Sequence, residues 1–166
     1  QGNKIKIKLI DKVVCNSKFT KKFIDKSFGV KSDVLYPPID TSGFSPGEKT
    51  KTIIGVGRFE NTMQSKKQDI LIKAFKKLFD SGKKDWQLVL IGGSIEKEKD
   101  NKFINKLKKM SGGYPIKFIV NAPFEVLKKY YAESSLFWHA AGYGIDENIY
   151  PWKVEHFGMT TVEAMA

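Results

Sequence analysis

Five side chains in this 166-residue chain have the type and spacing to handle a phosphorylated ligand: Arg58, Lys66, Lys67, Glu155 and Glu163. Arg58 is the single arginine among 29 basic residues. Its planar, bidentate donor fork suits phosphate better than a lysine ammonium does. It follows Gly57, at the end of the apolar run Ile53–Gly57, so it would project past a strand end into a cleft. Lys66 and Lys67 open the next helical pattern. Cations there oppose the helix dipole, so the pair is locally unfavourable unless an anion sits between them; a solvated pair in a lysine-rich chain is the alternative. Glu155 and Glu163 bracket Gly158, Thr160 and Thr161. Thr160 and Glu163 have the spacing of a capping box, which explains Glu163 without a ligand. In the other reading Gly158 starts a helix whose free N–H groups face a phosphate. Glu163 then accepts from sugar hydroxyls, and Glu155 lies near the reacting end. Spacing alone does not choose between these readings.

Other chemistry finds little support. The two histidines, His139 and His156, and the single cysteine, Cys15, have no metal-ligand spacing. His139 reads as a satisfied strand-end residue and His156 as a residue that orients its loop. Cys15 lies in an apolar run and reads as a buried structural thiol. A GxGxxG after the first strand and a GxxxxGK[ST] are both missing, which disfavours dinucleotide and P-loop sites.

The elements that must position these residues alternate. Strands are expected at 13–15, 33–36, 53–57, 87–91, 116–120 and 136–139. Helices are expected from the cap signal Asn16–Ser17 to Gly29, over 67–79, 96–110 and 123–133, and from Gly158 onwards. On the 67–79 helix the expected inner face is Ile70, Leu71, Ala74, Phe75 and Leu78. The run Gln87–Ile91 has the unbroken apolarity of a parallel strand covered on both faces. Strand–helix alternation throughout predicts an α/β fold with a doubly wound parallel sheet. Residues 1–12 are expected to be a residual N-terminal or linker segment, and 13–166 one Rossmann-like domain. In such sheets ligands bind beyond the carboxyl ends of the strands. Those ends carry Gly57 and Arg58; Gly92, Gly93 and Ser94; Asn121, Ala122 and Pro123; and Gly142 and Gly144. The last residues, Val162–Ala166, read as the opening of a helix that continues past the chain end, so the domain is expected to be C-terminally truncated.

A net charge of +11 points to an anionic partner, or to a lysine-rich composition decorating solvated faces. Unpaired cysteine usage points to a reducing cytoplasm. Peripheral association at the inner membrane face is compatible with the charge. A spanning helix is not expected, because no run approaches ~20 apolar residues.

In this setting the chain resembles the retaining glycosyltransferases of the GT-B fold, family 4. Glu155 to Glu163 matches their E-x7-E motif. Asn16–Thr20 and Tyr36–Asp40 resemble the entry into their C-terminal domain. Gly55–Phe59 with Lys67–Phe75 resembles their phosphate-binding strand and helix, and His139–Gly144 with Glu155–Gly158 resembles the centre of a bacterial subgroup. The resemblance implies a hexosyltransferase that moves a sugar from a nucleoside-diphosphate donor, UDP- or GDP-linked, to a glycan or lipid-linked acceptor in polysaccharide biosynthesis. The acceptor would be held by an N-terminal domain absent from this chain. It implies that Arg58 and Lys67, with Gly57 and Lys66 beside them, hold the diphosphate. Backbone groups of Phe157, Gly158, Met159 and Thr160 would contact phosphate or sugar. Glu163 would bind the ribose hydroxyls, Glu155 a hydroxyl of the transferred sugar, and the base would lie near Val120 and Asn121. No metal or other cofactor is implied, because lysine, arginine and helix end would stabilise the leaving diphosphate. Two features depart from the pattern. Gln68 stands where glycine usually follows the lysine, and the polar stretch before Lys67 is long, so either lysine could reach phosphate. Without its acceptor half the chain is not expected to catalyse transfer alone.

Two other readings compete. A non-enzymatic basic module for nucleic acid or anionic membrane would use the charge. Nucleic-acid modules, however, interleave aromatics with basic residues on an exposed face, whereas Phe75, Phe79, Phe103 and Phe137 read as buried, so nucleic acid is not expected as a partner. A nicotinamide-dependent oxidoreductase lacks its glycine fingerprint.

Overall fold

The computed structural model describes residues 6–7, 9–60, 65–95 and 101–166. The chain runs β1 (Val14–Cys15), α1 (Lys18–Phe28), β2 (Asp33–Val34), β3 (Thr50–Val56), α2 (Gln68–Asp80), β4 (Gln87–Gly92), α3 (Lys102–Met110), β5 (Ile116–Val120), α4 (Phe124–Glu133), β6 (Ser134–Phe137), a 3-10 turn (Pro151–Lys153) and α5 (Met159–Met165). All strand pairs are parallel. The main sheet has the order β5-β4-β3-β6. The chain therefore winds outward from β3 through β4 to β5, then returns to lay β6 on the other side of β3. The order reverses between β3 and β6, and the crevice beyond their carboxyl ends is the switch point where such sheets bind ligands.

Both faces of the sheet are covered. Ile53, Leu88 and Leu90 pack against Leu71, Ile72 and Phe75 of α2 and Ile104 and Leu107 of α3. Ile54, Val89 and Ile91 pack against Leu127 and Tyr131 of α4 and Ala164 of α5. The β4 residues Leu88 to Ile91 are buried on both sides, which is why that stretch shows no polar alternation. Each residue of this core removes apolar area from water at roughly 25 cal/mol per Å².

Three expectations change in detail. The first two strands do not join the main sheet. They form a separate two-stranded parallel sheet, each only two residues long, around α1, which Ser17 caps by accepting from the Thr20 N–H. The buried residues of α2 are Gln68, Leu71, Ile72 and Phe75, with Leu78 packed against the same core, so the inner face includes Ile72 and leaves Ala74 outside. The last strand of the sheet covers 134–137, not 136–139: Ser134 registers with Thr50 and Phe137 with Ile54. This is an edge strand, in which Leu136 stays half exposed while Ser134 is buried with its hydroxyl unpartnered among the described residues. His139 consequently lies beyond the strand. The 96–110 helix is described from Asn101 onwards; its expected start lies outside the described residues. Among the described residues no helix is long and apolar enough to cross a membrane.

Candidate active site at the strand ends

The ladder between β3, β4 and β5 continues past the strands and ties their loops together. Gly57 N–H donates to the Ile91 carbonyl at 2.9 Å, Phe59 N–H to Gly93 at 2.8 Å and Asn121 N–H to Gly92 at 2.9 Å. The approach is so close that a Cβ on Gly92 would lie 1.9 Å from the Gly57 carbonyl oxygen. Only glycine fits there. Asn121 takes the left-handed conformation, φ 54°, and its amide clasps Ser94 twice, accepting from its N–H at 2.8 Å and donating to its carbonyl at 3.1 Å. Such a strained asparagine at a strand end is a recurrent feature of functional turns.

Asn101 joins a third loop to these two. Its amide nitrogen donates to the Phe59 carbonyl and the Ser94 hydroxyl, while its oxygen caps α3 by accepting from Phe103 and Ile104 N–H. The loops so fixed border two cavities with Arg58 between them. One, of about 690 Å³, is lined by Arg58, Glu60, Ser94, Asn101, Lys102 and Asn121 among others. The other, of about 470 Å³, is lined by Val56, Gly57, Arg58, Gly93, Asn121 and Ala122. These volumes are of ligand size. Arg58 is exposed at their rim, with its Nε 2.8 Å from Glu60 Oε1. Val120 packs into the core below.

Across the switch point lies a compact charge cluster. Lys66 Nζ is 2.5 Å from Glu155 Oε2, and His139 Nε2 is 3.2 Å from the same oxygen. Both bonds hold the Glu155 carboxyl well below its ordinary range, at about 2, against the opposing effect of burial; the His139 bond contributes most. An ionised carboxylate only accepts, so His139 carries its proton on Nε2 here. The Lys66 stem lies across Gly57, where a Cβ would come within 2.5 Å of Lys66 Cγ. Lys67, next in sequence, is the left-handed cap residue of α2, φ 54°, and among the described residues has no ion-pair partner. The structure thus separates the two lysines: Lys66 is committed to Glu155, and Lys67 is unpaired at the helix start.

The loop bearing Glu155 is braced from the N-terminal unit. His156 stacks on Phe19 of α1 and Phe157 meets Tyr36, each with ring centroids 5.7 Å apart. His156 Nε2 also donates to the Pro151 carbonyl at 3.0 Å, so this histidine does orient its loop. Gly158, φ 84°, caps α5 with no side-chain bond, and its Cβ position lies 3.4 Å from Glu155 Cγ. The helix does start at Gly158. The capping box does not form, because Thr160 is already inside the helix and Glu163 turns elsewhere. The buried Tyr131 hydroxyl donates to Glu163 Oε2 at 2.9 Å and approaches the Thr160 carbonyl at 3.2 Å. Burial, then the adjacent carboxylate, push the Tyr131 phenol far up, so it stays a donor. Glu163 lines a smaller cavity, about 190 Å³, with Phe44, Lys49 and Tyr131. The structure therefore brings Glu155, Lys66, His139 and Gly158 together and sets Gly57, Arg58 and Asn121 on the facing loops. Met159 is exposed beside them, and the Glu163 carboxylate points to α4. Among the described residues no three His, Cys, Asp or Glu side chains gather as a metal site would require.

Glycine turns at the carboxyl ends of a parallel sheet, one of them bearing Arg58 and packed by the stem of Lys66 from the Glu155 cluster, define a Rossmann-like domain of the kind found in GT-B glycosyltransferases. The solved structures agree. The chain superposes on TarM with a TM-score of 0.68 at 16% identity, covering 99% of this chain and 30% of that one. It superposes on the pneumococcal O-GlcNAc transferase GtfA, solved with UDP and GlcNAc, with a TM-score of 0.63 at 16% identity and the same coverage. At that identity the likeness speaks for the fold. The chain belongs to the glycosyl transferases group 1 family, whose model matches residues 41–166. Similar curated proteins are the GDP-Man:Man(3)GlcNAc(2)-PP-Dol alpha-1,2-mannosyltransferases of Xenopus laevis, 30% identical over 82% of this chain, and of Homo sapiens, 31% identical over 94% of it. The chain spans 28% and 32% of those proteins' lengths.

Proposed function

We propose that this chain is the donor-binding half of a retaining family 4 hexosyltransferase, and that the donor is GDP-mannose. The observation that carries the reading is the position of the Glu155–Lys66–His139 cluster. Its Lys66 stem lies on Gly57, and the next residue, Arg58, lines the two cavities at the strand ends, which supports a diphosphate at this edge of the sheet. The base preference is taken from the similar mannosyltransferases, whose donor is named as GDP-Man. Their dolichol-linked acceptor supports a lipid-linked glycan as acceptor here, with the enzyme working at the cytoplasmic membrane face.

In the proposed reaction the leaving diphosphate develops negative charge as the anomeric bond breaks. Arg58, Lys67 and, once a phosphate competes with Glu155, Lys66 stabilise that charge. The α5 start at Gly158 faces the same group, and Phe157 to Thr160 lend backbone contacts. Glu155, fixed as a carboxylate by His139, accepts from a hydroxyl of the transferred sugar and orients it. The base lies against Val120 and Asn121, and Glu163 takes the ribose hydroxyls with Tyr131 holding its other side. The donor set is cationic, so the proposal uses no metal.

Ligand-detected NMR titration of UDP, GDP and their sugars tests this. GDP is expected to bind in the presence of EDTA as well as without it. Arg58→Ala is expected to weaken binding by about 1.5–3 kcal/mol, the range for a charge-assisted hydrogen bond. Failure of every nucleoside diphosphate to bind at millimolar concentration refutes the proposal.

A further inference from the structure

Gln68 is buried, 3% exposed, at the first position of α2, where a solvated polar residue would be ordinary. Its amide nitrogen donates to the Arg58 carbonyl at 2.9 Å and the Gly57 carbonyl at 3.3 Å. Its amide oxygen is buried and, among the described residues, has no partner. The side chain therefore keeps one desolvated atom unsatisfied in order to hold two carbonyls of the turn that bears Arg58. An apolar residue of equal volume would avoid that penalty, so packing alone does not account for an amide here.

The consequence for the site is geometric. The Gly57–Arg58 peptide is planar and trans, so turning its carbonyl towards Gln68 turns the Arg58 N–H the opposite way. The flanking N–H groups of Gly57 and Phe59 are held by Ile91 and Gly93. Asn101 holds the Phe59 carbonyl, and Gln68 restrains the two carbonyls before it, from the residue directly after Lys66 and Lys67. It thereby couples the arginine turn to the lysine-bearing helix start.

We propose that Gln68 is a positioning residue that sets Arg58 against the two lysines for an anionic diphosphate. The inference rests on the donor-site reading above. A misplaced binding group costs affinity steeply even when the fold survives.

The test compares wild type, Gln68→Met, Gln68→Glu, Arg58→Ala and the double variant Gln68→Met/Arg58→Ala. Affinities for pyrophosphate and GDP are measured by calorimetry, and stability by thermal melting. Gln68→Met keeps the volume and removes the donor. It is expected to bind both ligands about tenfold more weakly while still melting cooperatively. The double variant is expected to bind no more weakly than Arg58→Ala, because Gln68 acts through Arg58. Gln68→Glu, which cannot donate to carbonyls when ionised, is expected to repeat the loss and serves if the methionine variant does not fold. Unchanged affinity in a folded Gln68 variant, with binding lost in Arg58→Ala, overturns this inference and leaves the donor site standing. No binding by the wild type overturns both.

Discussion

Removing either partner of the Lys66–Glu155 pair should expose how strongly the two halves of the site are coupled. The side chains are 21% and 25% exposed, between the regimes of surface and buried pairs. Exposed pairs are worth about 0.2–1 kcal/mol, and breaking a buried one costs about 3–5 kcal/mol. His139 remains on Glu155 after Lys66 is removed, which softens the loss. The expected coupling is therefore about 1–2 kcal/mol, read from urea unfolding of wild type, Lys66→Met, Glu155→Gln and the double variant. The sign of the pH dependence follows from Glu155. Its folded value, about 2, lies below the roughly 4.3 of an unfolded glutamate. Its contribution is fully present above the unfolded value and is lost as pH falls through the folded one. Coupling below about 0.3 kcal/mol, within the scatter of independent sites, refutes the arrangement, as does coupling already lost at pH 5.

Two further outcomes are expected elsewhere. Gly92→Ala places a methyl 1.9 Å from the Gly57 oxygen; the β3 and β4 ends must part, and thermal melting should show a loss of several kcal/mol or no cooperative transition at all. Tyr131→Phe leaves Glu163 without its donor at 2.9 Å and should lower stability by about 1 kcal/mol in urea unfolding; an unchanged midpoint would mean that water replaces the bond without penalty.

The architecture was legible because its signals are local. Leu88–Ile91 is apolar without interruption, and helix α3 carries Phe103, Ile104 and Leu107 at helical spacing above its glycines. The edge strand was misplaced by two residues because Ser134 and Ser135 have no strand propensity; pairing with Thr50 decides their conformation. The chemical groups were legible as residue types and not as partners. Lys66 and Glu155 stand 89 positions apart, and nothing in local spacing says that Lys66 meets the carboxylate while Lys67 does not. Asn101 and Tyr131 have no local signal, and Gln68 stands out in sequence only as a departure from the usual glycine, for the same reason: each works through a contact made only when the sheet closes. The capping-box spacing at Thr160 and Glu163 was present but unused, because left-handed Gly158 starts the helix two residues earlier and Tyr131 takes the glutamate.

The central claim is that a nucleoside diphosphate lies at the carboxyl edge of the sheet between the Arg58 turn and the Glu155 loop. Amide chemical-shift mapping by NMR during a GDP titration tests it most directly. The expected result is a contiguous set of shifted amides at Gly57, Arg58, Gly93, Asn121 and Gly158, diminished in Arg58→Ala. Shifts scattered over the lysine-bearing outer faces of α1, α2 and α3, with those five amides unmoved, would contradict it.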